Sequence, residues 1–131
     1  MILFEFSNYR EFIRAYIRNL PRRGHGELSR IAKHLNINTT LLSQILSGLR
    51  DFSTDHGYDL AEYLQLTEIE TDYLYLLIQI ERAGTQRNKA YLKKKLAQVK
   101  EEALKLSKRV KHEKSLDDSE RAVFYSSWLY S

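Results

Sequence analysis

The chain has 131 residues, 43% of them hydrophobic and 29% charged, with one proline, five glycines and no cysteine. That length suits one domain with an appendage, and the lack of thiols excludes a disulfide framework and thiolate chemistry. No run approaches the ~18 apolar residues that a membrane span needs, and the start MILFEFSNYREF, carrying Glu5, has no basic stretch followed by a long apolar one. A cytoplasmic, all-α protein is the expectation.

The net charge of +4 is unevenly spread. Residues 1–81 carry 8 Lys/Arg against 11 Asp/Glu, residues 82–114 carry 12 against 3, and residues 115–131 carry 1 against 3. Most of the positive field therefore lies in the last third of the chain.

The spacing predicts a first helix over 7–20, stopped by Pro21, which cannot continue a helix interior. Its core face would hold Phe6, Tyr9, Phe12, Ile13, Tyr16 and Ile17, with Arg10, Arg14 and Arg18 on the opposite, solvent side. A basic, glycine-containing loop, PRRGHG, follows. Leu28, Ile31, Ala32 and Leu35 then mark one buried helical face, and Leu41, Leu42, Ile45 and Leu46 mark the next. Between them Asn36-Ile37-Asn38-Thr39 leaves room only for a sharp bend. Asn38 is placed to cap the second of these helices, and Gly48 to close it with a left-handed residue. A fourth helix is expected over 54–64. Thr67 and Glu70 form a capping box for a fifth, which runs to about Arg82, ends at Gly84 and is apolar nearly all round, so it should be the most buried.

Leu92, Leu96, Val99, Ala103, Leu106 and Val110 make a heptad stripe on a lysine-rich helix over 85–112. Two readings stay open: a homodimer seam, which we favour, and packing against the fifth helix of the same chain. The lysines at 93, 94, 95, 100, 105, 108 and 111 fit a solvated face better than a DNA contact. A polar break near 115–118 leads into RAVFYSSWLYS, a short helical segment expected to begin a truncated C-terminal region. The domain division is thus 1–84 and 85–131.

Residues 5–66 resemble the DNA-binding domains of the phage repressor and Cro-type helix-turn-helix class. The match rests on Ile31-Ala32, the turn Asn36-Ile37-Asn38, Leu42-Ser43-Gln44-Ile45, Gly48, and Leu60 and Leu64. The whole chain is similar, more narrowly, to a poorly characterised bacterial family that joins such a domain to a longer helical C-terminal region. FSNYREFIRAYI, LSQILSGLRDFS and ERAVFYSSWLYS carry that likeness, and in that family the last segment leads into more protein. The resemblance implies a five-helix reading domain in which one helix lies across a DNA backbone while the next enters the major groove. Its function would be sequence-specific double-stranded DNA binding by a bacterial transcription regulator, as a homodimer on an inverted repeat. Thr39, Thr40 and Gln44 would read bases, glutamine pairing with adenine. Arg30, Lys33, Asn38, Ser43, Ser47 and Arg50 would hold phosphates.

Residues 36–49 depart from the class in carrying no charge. Lysine and arginine supply most non-specific DNA affinity, so a lone copy should bind weakly unless dimerisation or the basic helix adds field. The alternative is a helical module that binds protein. His25, His34, His56 and His112 are scattered, and neither a metal site nor a catalytic serine-histidine-acid set stands out. No enzyme activity and no cofactor are expected.

Overall fold

The computed structural model describes residues 3–112, all of whose regular structure is helical. A 3-10 turn, Leu3–Glu5, precedes α1 (Tyr9–Arg18), α2 (Glu27–His34), α3 (Thr39–Ser47), α4 (Thr54–Leu64), α5 (Glu68–Arg82) and α6 (Gln86–His112). The segment 113–131, with its expected short helix, and the Val110 side chain lie outside the described residues.

Local chemistry accounts for most helix ends. α1 begins two residues later than the apolar spacing suggests, because the Asn8 side chain takes the orphan N–H groups of Arg10 (2.8 Å) and Glu11. It ends at Arg18, and Leu20, before Pro21, is already extended. Ser53 and His56 close a capping box at α4: the Ser53 hydroxyl accepts from the His56 N–H at 3.1 Å, and His56 Nδ1 accepts from the Ser53 N–H. The expected box of Thr67 and Glu70 opens α5, with the Thr67 N–H on Glu70 Oε1 at 2.8 Å.

One core joins all of these elements. Tyr9, Phe12 and Ile13 of α1 meet Ile31, Leu35, Leu42, Ile45, Phe52 and Leu60, and α5 adds Tyr73, Leu74, Leu77 and Ile78. As expected, α5 carries more buried residues than any other described helix. Gly57 lets α4 approach α5 closely; a Cβ there would stand 2.6 Å from Ile78 Cδ1. The N-terminal turn is tied on by the Tyr73 hydroxyl, which donates to the Phe6 carbonyl at 2.7 Å.

α6 packs chiefly along α5. Leu92 and Ala103 are buried, and Leu96 and Val99 pack against the same core as α1–α5. Four residues of the heptad stripe thus pack within the chain, as in the second of the two readings left open above. Leu106 is 37% exposed. The division at residue 84 falls in the turn between α5 and α6, but the core runs across it. At 1.5 Å per residue, α6 with 27 residues is about 40 Å long and α5 with 15 is about 22 Å.

Candidate nucleic-acid interface

The turn between α2 and α3 takes only four residues, 35–38. Asn36 makes this possible by adopting φ +59°, a left-handed conformation that asparagine tolerates better than most side chains. Ile37 N–H donates to the Ala32 carbonyl at 3.0 Å, closing α2. Asn38 caps α3 as expected, its Oδ1 accepting from Leu41 N–H at 2.6 Å. Gly48 closes α3 at φ +95°.

α3 shows two different faces. Leu42, Ile45 and Leu46 enter the core, while Thr39, Thr40, Ser43 and Ser47 are exposed and Gln44 is half-buried. The candidate base-reading set therefore shares one outward face of a single helix. Of the candidate phosphate holders, Arg30, Lys33, Asn38, Ser43, Ser47 and Arg50 are all exposed. Several already have internal bonds. The Asn38 oxygen is committed to the cap, Ser47 Oγ donates to the Gln44 carbonyl at 2.9 Å, and Arg30 Nε donates to Glu27 at 2.8 Å.

The C-terminal end of α3 is clasped by α1, which corrects the expectation of a solvent face for Arg10 and, in part, for Arg14, while Arg18 is exposed as expected. Arg10 donates through Nε to the Ile45 carbonyl (2.7 Å), and through Nη2 to the Arg50 carbonyl (2.9 Å) and the Asp51 carboxylate (2.6 Å). Its Nη1 pairs with Glu81 of α5 at 2.6 Å. Arg14 donates to the Leu46 carbonyl. Cations at the last carbonyls offset the negative end of the helix dipole. Burial works against the Arg10 charge, but Asp51, Tyr9 and Glu81 outweigh it and raise its pKa. Asp51 thus spends its carboxylate on Arg10, although it follows Arg50 in the sequence. Arg82 of α5 completes the clasp by donating to the Phe52 carbonyl at 2.9 Å.

Arg50 turns back onto α3, with Nε 3.1 Å from Gln44 Oε1. At the start of α2, Glu27 is buried and accepts from the hydroxyls of Tyr16 (3.1 Å, α1) and Tyr63 (3.0 Å, α4) through the same oxygen. Burial, then the adjacent carboxylate, pushes the Tyr16 phenol well up, and burial with the bond to Glu27 raises Tyr63. Neither the Arg10 clasp nor the Glu27 centre is visible as a motif, because their members lie far apart in the chain.

Away from α3, an open groove of about 580 Å³ runs between α5 and α6, lined in part by Asp72, Tyr75, Tyr91, Lys95 and Glu102. Among the described residues, no cluster of histidines and acids has the arrangement of a metal site, and no helix is long and apolar enough to cross a membrane. No family model, curated protein or solved structure matches the chain.

Proposed function

We propose that the chain is a sequence-specific double-stranded DNA-binding protein of the repressor and Cro-type helix-turn-helix class, acting as a bacterial transcription regulator. One observation carries the reading. α3 follows α2 after a four-residue turn, is fixed at its far end by Arg10 and Arg14, and offers solvent a small, polar, uncharged face of Thr39, Thr40, Ser43 and Gln44. A rigid helix with short hydroxyl and amide side chains fits the major groove, where threonine methyls meet thymine methyls and amides meet base edges. Thr39, Thr40 and Gln44 read bases; Arg30, Lys33, Asn38, Ser43, Ser47 and Arg50 hold the backbone.

The site is two-fold and is read by a homodimer, with half-sites one helical turn or a multiple apart. Because the inner face of α6 packs on α5, the two copies meet through some other surface. The test is selection of the protein on a pool of random duplexes at near-physiological salt. An enriched inverted repeat, lost when Thr40 is changed to Glu, is the expected result. No enrichment by the folded protein would sink the reading and leave the protein-binding module in its place.

A further inference from the structure

The sequence suggests a glutamine that pairs with adenine and an arginine that holds a phosphate, each acting alone. The geometry joins them. Arg50 Nε lies 3.1 Å from Gln44 Oε1. Arginine has only donors, so the amide can face it only through its oxygen. That oxygen is the acceptor a glutamine needs for the N6 amino group of adenine. With one of its two lone pairs engaged, the two side chains turn mainly donors outward: the Gln44 amide N–H groups and the remaining guanidinium N–H groups of Arg50.

Arg50 is also held in place. Its backbone N–H reaches the Gln44 carbonyl, and its own carbonyl accepts from Arg10 Nη2 at 2.9 Å. Asp51, the neighbour that would be expected to neutralise it, is paired with Arg10 at 2.6 Å. With the backbone fixed and the exposed side chain directed by its bond to Gln44, the guanidinium has less freedom to lose on binding.

A donor-rich surface with a guanidinium fork matches the base edge that shows two acceptors in the major groove, guanine with N7 and O6. We infer that Gln44 and Arg50 act as one unit that reads guanine, Arg50 making the base contact and Gln44 positioning it. This rests on the DNA-binding reading above and departs from it at two residues: Arg50 contacts a base and not a phosphate, and Gln44 positions Arg50 and does not itself read adenine.

The test begins with the same selection, followed by titration of the enriched duplex with the protein and two variants. The expected motif has a guanine in each half-site at which replacement by 7-deazaguanine weakens binding roughly 5- to 150-fold, the range of one good base contact. Arg50→Lys keeps the charge but not the planar fork, and should abolish the preference at that position. Gln44→Ala should weaken the preference while leaving the charge and the fold intact, as checked by circular dichroism.

A motif with adenine at the position, or a guanine preference that survives Arg50→Lys, overturns the inference and leaves the DNA reading standing. Failure to enrich any motif overturns both.

Discussion

The two charged centres that border the α2–α3 pair bury opposite partners. At the end of α3 the cation is inside: the Arg10 side chain is 11% exposed and serves two carboxylates and two carbonyls from three separate regions. At the start of α2 the anion is inside: the Glu27 side chain is 6% exposed, while its arginine, Arg30, is 59% exposed. Glu27 depends mainly on two tyrosine hydroxyls, and Arg30 lies over it from the solvent side. The lesson is that proximity of opposite charges does not rank their importance. What ranks it is which group, once removed, leaves buried partners with nothing to bond.

The sharpest way to break the comparison is Arg10→Met. It nearly keeps the volume but removes the partner of Asp51, Glu81 and the Ile45 carbonyl. It should cost about 2–3 kcal/mol in denaturant unfolding, below the range for a fully buried ionic set because Asp51 and Glu81 are 42% and 26% exposed and can be hydrated. A loss below about 1 kcal/mol, the scale of an exposed pair, would show that water replaces the guanidinium. Next comes Tyr63→Phe. Removing one hydroxyl donor from a buried carboxylate should cost about 1–2 kcal/mol, somewhat below the usual range for bonds to charged groups because the tyrosine is only half-buried.

A smaller effect lies on the alkaline side. A tyrosine phenol in the unfolded chain ionises near pH 10, whereas burial and Glu27 keep Tyr16 protonated to higher pH in the folded protein. The folded state then holds a proton that the unfolded state releases. Its stabilising share is complete below about pH 10 and is lost as the pH climbs above that. Tyr16→Phe should make the alkaline fall in stability shallower, and an unchanged slope would remove Tyr16 from the account. The smallest effect is assigned to Arg30→Ala, which should leave the melting temperature close to the parent's. A marked drop would place Arg30 beside Arg10 and erase the distinction.

What was legible in the sequence was what neighbours in the chain decide. Asn38 and Gly48 bound α3, Thr67 and Glu70 open α5, and α4 spans Thr54–Leu64, all as local capping chemistry and apolar spacing require. The candidate reading face was also legible, since helical periodicity alone puts Thr39, Thr40 and Ser43 outside. In the row Arg10, Arg14 and Arg18 only Arg18 keeps a plain solvent face, and the spacing cannot show this because the partners of Arg10 lie between 35 and 71 residues away. A heptad stripe is equally silent about its partner: the pattern on α6 is the same whether a second copy or α5 covers it. Gln44 and Arg50 are six residues apart, and only the left-handed Gly48 brings them together.

The loop between α1 and α2 sets a further property of the molecule. Arg22, Arg23 and Gly24 take left-handed backbone conformations in succession, at φ +57°, +54° and +72°, and both arginines are exposed. Non-glycine residues are strained in this region, and exposed loops are where proteolytic nicking concentrates. The arginine pair is therefore the place where trypsin should enter first, well before the folded helices yield. The cut would free α1, with Arg10 and Arg14, from its covalent link to α2 and α3. The lifetime of the nicked but still assembled protein would then be a clock for the clasp, timing how long non-covalent contacts alone hold α3 in place.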